Sequence, residues 1–429
     1  MPPASTPMSR IVATALAGAS IEWYDFFIYG TAAATVFPAL FFPGSDPRVG
    51  MLLSFATFAV GFVARPVGGV VFGHYGDKVG RKRALVSALL LMGCATTGIG
   101  LLPTHAVIGM AAPLALVVLR FVQGMAIGGQ WGGAALLLIE SAPPGRRGFF
   151  GSFAQLGVPL GVILANLVFL GVTSAFGETG VLAWAWRVPF LLSIVLVGVG
   201  LYVQLRLEET PAFVEAQRAR PAGAVQQASP ILRVLREHPR VIALAAGAFV
   251  AINGNFYMLI TYVVAYATKT LGMPQSTVLA AVMLGACAQV PALLGAAALS
   301  DRTGRRGIYM AGAVLMGLWS LVFFPLLELR SFAGVAVAVS VGQVFISLMY
   351  GPQAAFFGEL FRTELRYSGA SLGYQIGSIF GGAFAPLIAA ALLAATGSSR
   401  AIGLYMATLC AVSFFSVRAL HETRPAGGA

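Results

Sequence analysis

From Ile11 to Phe42 the chain runs for 32 residues with only two charges, Glu22 and Asp25. A helix that crosses a bilayer needs about 20 predominantly apolar residues, and runs of that kind recur throughout the 429-residue sequence. Twelve are read, at approximately 11–42, 51–73, 83–102, 110–139, 149–175, 184–206, 241–267, 276–299, 308–327, 331–358, 368–394 and 401–418. Hydrocarbon offers no partner to backbone N–H and C=O groups, so only helices and closed barrels cross it. Barrel strands would alternate apolar and polar residues over segments of about 10, and no such alternation is present. The expectation is an all-α integral membrane protein with twelve transmembrane helices.

The formal charge of +12 would suit a nucleic-acid binder, but its distribution argues otherwise. Of the 27 Lys and Arg residues, 20 fall on one side of these spans, 5 on the other and 2, Arg65 and Arg120, within spans. Basic residues accumulate in cytoplasmic loops, which predicts cytoplasmic termini, a cell inner membrane location and lipid rather than nucleic acid as the surrounding partner. The N-terminal decapeptide shows no cleavable leader pattern. Cys94, Cys287 and Cys410 lie inside spans and are read as small core residues. The histidines His74, His105, His238 and His421 have no metal spacing. No metal or cofactor is expected, and no nucleophile, base or phosphate loop points to an enzyme.

The longest polar stretch, 207–240, divides the spans six and six. This predicts an N-terminal six-helix unit (1–206), a cytoplasmic linker (207–240) and a C-terminal six-helix unit (241–429). Within the linker, Ser229 to Pro239 reads as a short amphipathic helix with Ile231, Leu232 and Leu235 on one side. "GDKVGRK" (Gly76 to Lys82) recurs as "SDRTGRR" (Ser300 to Arg306), and "GSFAQLG" echoes "GASLGYQIG", aligning Gln155 with Gln375. Such repetition predicts two pseudo-symmetric six-helix bundles in one orientation, the plan of an alternating-access carrier.

"GHYGDKVGRKR" and "LSDRTGRRG" resemble the loop signature of the major facilitator superfamily. "SIEWYDFFIYG", "FVARPVGGVVFGHYGDKVGRK", "LRFVQGMAIGGQWGGAALLLIESAP" and "ELFRTELRYSGASLGYQIGSIFGG" resemble its metabolite:proton symporter branch. That branch includes transporters of shikimate, α-ketoglutarate, citrate, and proline or betaine. The resemblance runs from about Ser20 to Arg424 and implies the major facilitator fold and proton-coupled transport of a small metabolite by a monomer. Two positions depart from the branch pattern: Gln130 replaces an acid in "GGQWGG", and Arg362 follows Phe361 where proline is usual. With the span-four acid gone, any proton in the first half must ride on Asp25 or Glu22.

Charging an acid inside a bilayer is costly, so such groups face a cavity, meet a cation or take up a proton. Glu22 and Asp25, three apart, share a helix face and are candidate proton carriers. Arg120 is the expected counter-charge, and Arg65 is a second cation that could pair with Glu22. The glycines of "GMAIGGQWGG" predict close helix packing. Candidate substrate contacts are Tyr29, Gln123, Gln130, Trp131, Gln155, Asn255, Tyr257, Tyr350, Gln353, Tyr374 and Gln375, the last seven drawn from polar stretches expected to break helices 5, 7, 10 and 11 around a polar cavity. Candidate gating residues are Gly76, Asp77, Gly80, Arg81, Lys82 and Glu140 in the first half, with Asp301, Arg302, Gly304, Arg305 and Glu359 in the second. Arg81–Glu140 and Arg305–Glu359 are the expected ion pairs. The reading is proton-coupled import of a small organic acid or related metabolite. A proton-independent uniporter or exchanger and a drug-exporting antiporter remain as alternatives.

Overall fold

The computed structural model describes residues 8–79, 81–128, 138–139, 142–143, 145–205, 230–361 and 366–423. Twelve helices dominate it. The first six are α1 (Met8–Thr35), α2 (Pro47–Val79), α3 (Arg81–Leu101), α4 (Ala111–Gly128), α5 (Arg147–Ala185) and α6 (Arg187–Leu205). The second six are α7 (Pro239–Thr270), α8 (Gln275–Thr303), α9 (Arg305–Leu327), α10 (Phe332–Glu359), α11 (Ser368–Thr396) and α12 (Ser399–Ala419). Among the described residues nine of these are long and apolar enough to cross a bilayer, and no strand occurs. Helices α3 and α6 add shorter apolar stretches, Val86–Leu101 and Arg187–Tyr202. Helix α1 has 28 residues, about 42 Å at 1.5 Å per residue. Val118, Leu318, Leu404 and Phe415 are more than half exposed on outward faces, the placement that a lipid solvent favours.

The contacts repeat with a period of six helices. Within the first six, α1 packs on α5, α2 on α4, and α3 on α4 and α6. Within the second, α7 packs on α11, α8 on α10, and α9 on α10 and α12. The cross-bundle contacts obey the same rule, with α5 against α8 and α2 against α11. The molecule is therefore two six-helix bundles of the same internal plan joined along these two helix pairs.

Several boundaries differ from the expectations. The first span ends early: Val36 breaks α1, and Pro38 sits in the first turn of a separate short helix, Phe37–Phe41. "SDRTGRR" is a helix junction rather than a loop. Ser300 to Thr303 close α8, Gly304 turns alone with φ 103°, and Arg305 opens α9. Only glycine adopts that backbone at low cost, so the glycine of the motif is required by the one-residue turn. Gly80, its counterpart, lies outside the described residues, as do the side chains of Asp77, Arg81 and Lys82 and the surroundings of Gly76. The linker helix spans Pro230–Glu237; among its described side chains Val234 is buried against Ile242 and Phe361 while Leu235 is exposed, and the side chains of Ile231 and Leu232 lie outside the described residues. Cys94 and Cys287 are exposed and only Cys410 is buried, so two of the three are surface rather than core residues.

The expected helix breaks also move. Asn253 to Tyr257 are regular α-helix, and the wider π-helical turns follow at Met258–Tyr262 and Tyr266–Thr270. Pro159 and Pro352 lie inside continuous helices, and α5 kinks at Gly177 instead. In α11 a π-helical turn, Ile379–Ala383, follows Gln375 by one turn.

Candidate functional site

The site begins where α2 crosses α4. A Cβ on Gly124 would lie 2.1 Å from the Gly61 carbonyl oxygen, and one on Gly128 would lie 1.9 Å from that of Arg65. The two backbones are in direct contact, which only small residues permit. Gly61 also clears space for Arg120, whose Nε would stand 2.6 Å from a Cβ there. The close crossing thus brings two buried arginines, Arg65 at 1% exposure and Arg120 at 0%, to the middle of the first bundle.

Aromatic rings cover the faces of both guanidinium groups. The Arg120 Cζ lies 4.2 Å from the Phe26 ring centroid, 4.1 Å from that of Tyr29 and 4.9 Å from that of Phe58. The Arg65 Cζ lies 4.6 Å from Phe26, 4.4 Å from Phe62 and 5.5 Å from Trp23. These are cation–π distances, and Phe26 is shared. The Tyr29 hydroxyl donates to Thr57 Oγ1 at 2.7 Å, which fixes that ring under Arg120.

Asp25 is fully buried. Its Oδ1 accepts from the Ser193 hydroxyl of α6 at 2.5 Å, and its Oδ2 has no hydrogen-bond partner. The expected Asp25–Arg120 ion pair is not formed. Arg120 Nη1 donates instead to Gln123 Oε1, while Gln123 Nε2 donates to the Asp25 carbonyl oxygen at 3.1 Å and to Thr96 Oγ1 at 2.8 Å. Gln123 stands between the cation and α1, and Ser193 holds the carboxyl toward α6, so a neutral amide links the two charged residues. Glu22, one turn earlier on α1, is buried too, and the Arg65 charge bears on it.

Among the described residues, aromatic side chains from both bundles meet in the seam here. Tyr257 of α7 meets Phe26, Phe58 and Phe62 with ring centroids 5.9, 5.5 and 5.1 Å away. Its hydroxyl has no hydrogen-bond partner. Gln155 Nε2 donates to Gln353 Oε1 at 2.6 Å, a direct bond between α5 and α10 across the seam. Gln155 therefore pairs with Gln353, whereas its repeat-equivalent Gln375 is buried with its own Oε1 unsatisfied. Asn255 Nδ2 contacts Cys410 Sγ at 3.1 Å within the second bundle. The Tyr374 ring lies tilted against Phe249 with centroids 4.3 Å apart, and Tyr350 is buried. Gln130, Trp131 and Glu140 lie outside the described residues.

At one end of the seam Asp301 accepts from the Gly148 and Phe149 amides at 2.9 and 2.8 Å, capping α5 from the other bundle. Arg305 holds Asp301 at 2.6 Å and reaches Glu359 at 3.4 Å. Glu422 accepts from the Arg305 and Arg306 amides at 2.9 and 3.1 Å, and Thr423 donates to Glu359 at 2.7 Å, so the segment after α12 closes over the same cluster. Arg302 is exposed in the last turn of α8. At the opposite end Glu178 Oε1 accepts from the Gln275 amide at 3.1 Å, where α8 begins. The antiparallel α5–α8 pair is thus capped reciprocally, each helix start held by a carboxylate from its neighbour.

Residues 15–376 match the family described as Major Facilitator Superfamily. This chain belongs to that superfamily. Among curated relatives of this superfamily member, the Escherichia coli inner membrane metabolite transport protein YhjE is 42% identical over 97% of this chain and 94% of its own length. The Escherichia coli shikimate transporter is 37% identical over 97% and 95%. The Escherichia coli proline/betaine transporter is 30% identical over 98% and 85%. Among solved structures, a partially occluded inward-open xylose transporter from Escherichia coli aligns over 99% of this chain and 100% of its own, with a TM-score of 0.77 and 16% identity. The protein is an all-α member of a transporter superfamily, not an enzyme.

Four participants in this superfamily member escape a reading of its sequence. Ser193 is the one hydroxyl in "FLLSIVLVGVG", and that isolation in an apolar run was the available signal. Thr96, Glu178 and Glu422 offered none, because their partners lie on other helices far away in sequence.

Proposed function

We propose that the protein imports a small organic acid or related polar metabolite together with protons, by alternating access between its two bundles. The observation that carries this reading is Asp25, a fully buried carboxyl with one oxygen held by Ser193, one without a partner, and no ion pair among the described residues. A carboxyl in that position is a site for a proton that comes and goes. Gln123 ties its backbone to Arg120, so a change at Asp25 is felt at the buried cation that attracts an anion. Relatives that carry metabolites, shikimate and proline or betaine support the substrate range.

In this reading the basic end of the bundle, with both termini, faces the cytoplasm of a cell inner membrane. The Asp301–Arg305–Glu359 cluster closes that end and parts when it opens, the protein working as a monomer. The residues 1–206 and 241–429 act as the two moving units, with 207–240 as the tether. Gln130, where the branch pattern has an acid, favours a second reading in which the same substrate moves without protons. Proteoliposomes loaded with a pH-sensitive dye separate the two. Entry of substrate acidifies the interior if protons accompany it, and entry at constant internal pH contradicts the proton-coupled reading.

A further inference from the structure

We propose that Ser193 is the positioning residue for the transported proton, holding the Asp25 carboxyl on the α6 side of α1, away from the seam. This rests on the proton-coupled reading above and deepens it. The Ser193 hydroxyl donates to Asp25 Oδ1 at 2.5 Å, and both side chains are fully buried. Asp25 Oδ2 has no hydrogen-bond partner, and the Thr96 hydroxyl of α3 donates to the Met92 carbonyl at 2.8 Å. A donor aimed at a carboxylate favours its charged form. The two oxygens then divide the work: Oδ1 stays on Ser193 while Oδ2 takes up and gives back the proton.

The neighbours of Asp25 on α1 fix which side that is. Tyr24, the preceding residue, donates its hydroxyl to the Pro189 carbonyl of α6 at 2.8 Å, one turn before Ser193. Phe27, two residues on, lies about 200° round the helix. It meets Phe256 and Tyr257 of α7 with ring centroids 5.8 and 6.3 Å away. Helix α6 packs on α1, α3 and α5 of its own bundle, and Ile194 and Val195 beside Ser193 are more than half exposed. The carboxyl therefore stands behind α1 as seen from the seam. Its state reaches the seam through the Gln123 amide, which joins the Asp25 carbonyl to Arg120. The charged and titratable groups around it are Glu22, Tyr24 and Tyr29 on α1 itself, Arg65 on α2, Arg120 on α4 and Tyr257 on α7. Helices α5 and α6 bring none to this level, and Cys94 of α3 is exposed. Exchanging the Ser193 hydroxyl thus leaves every neighbouring charge in place.

The test follows the carboxyl itself, with no substrate added, by infrared difference spectroscopy of the full-length protein in nanodiscs over a pH titration. The C=O band of protonated Asp25 is the one that Asp25→Asn removes. In Ser193→Ala that band should move to higher frequency, as a carboxyl C=O does when it loses a donor. It should also persist to a pH about one unit higher than in wild type, the tenfold in proton affinity that a hydrogen bond to a charged group is worth. Ser193→Thr keeps the hydroxyl and should restore both the frequency and the titration. Phe27→Leu, on the seam side of α1, should alter neither. If Ser193→Ala does not fold, Ser193→Cys, a weaker donor, should shift both in the same direction. A band and titration unchanged in the Ala or Cys variant, even with a lower melting temperature, mark a structural role only and overturn the positioning role. A Thr variant that behaves like Ala, or a Phe27→Leu shift as large as that of Ser193→Ala, overturns it too. Each of these leaves the proton-coupled reading standing. If Asp25→Asn removes no carboxyl band at any pH at which the protein is folded, both are overturned.

Discussion

Gln123 joins three helices through one amide: its oxygen takes the Arg120 donor, and its nitrogen serves the Asp25 carbonyl and Thr96. Gln123→Leu removes all three bonds and leaves a buried charged donor unsatisfied, a loss of about 1–3 kcal/mol. The expected result is a lower melting temperature and weak uptake. Gln123→Glu gives Arg120 a carboxylate partner but replaces the amide donor to the Asp25 carbonyl and Thr96 by an acceptor, so it too should melt below wild type. Its folded fraction should bind an anionic substrate at least tenfold more weakly, because the cation is already neutralised; unchanged affinity in that variant would remove Arg120 from the binding site. At this scale the sequence was partly legible. Two acids and two arginines in apolar runs stand out because each is costly there. What could not be read was direction: the pairing of Asp25 with Ser193 rather than Arg120, and of Gln155 with Gln353 rather than with nothing, depends on how helices rotate against one another.

Among the elements, the α2–α4 crossing is the most tightly constrained. Gly124→Ala must push a methyl into the Gly61 carbonyl, 2.1 Å away, and Gly68→Ala meets the Met125 carbonyl at 1.8 Å. Overpacking of this kind typically costs about 1–3 kcal/mol or more. Both variants should melt lower than wild type and displace Arg120 from its aromatic cage. Gly198→Ala, with nothing within 4 Å of the added methyl, is the control. It should be neutral, or stabilising by up to about 1 kcal/mol, since alanine is the better helix former. Equal losses at Gly124 and Gly198 would mean that backbone contact does not set the crossing. The glycine run announced close packing in the sequence, and the apolar runs announced the helices themselves. Helix ends were less legible. The Gly304 turn lets α8 run through "SDRT" to a single residue, so a stretch of polar and charged residues that reads as a loop is helix on both sides.

For the whole molecule, the reciprocal caps on α5 and α8 make opposite predictions for its two ends. Asp301→Asn weakens the bond to the Gly148 and Phe149 amides and the ion pair with Arg305, and should lengthen spin-label distances across that end of the seam. Glu178→Gln weakens the contact with the Gln275 amide and should lengthen distances at the other end only. Labels would be placed after replacing the exposed Cys94 and Cys287. Lengthening at both ends from either variant would contradict alternating access. The two-bundle plan itself was legible from the repeated "GDKVGRK" and "SDRTGRR", which stand at the same place in each six-span half. The occupants of the seam were not, because an aromatic residue inside a membrane helix looks alike whether it faces lipid, its own bundle or the other one. The central claim is that Asp25 carries the transported proton. It is tested most directly by comparing gradient-driven uptake with substrate exchange for Asp25→Asn in proteoliposomes. The account predicts that accumulation against a gradient is lost while exchange between internal and external substrate persists. Full proton-driven accumulation by Asp25→Asn would contradict it.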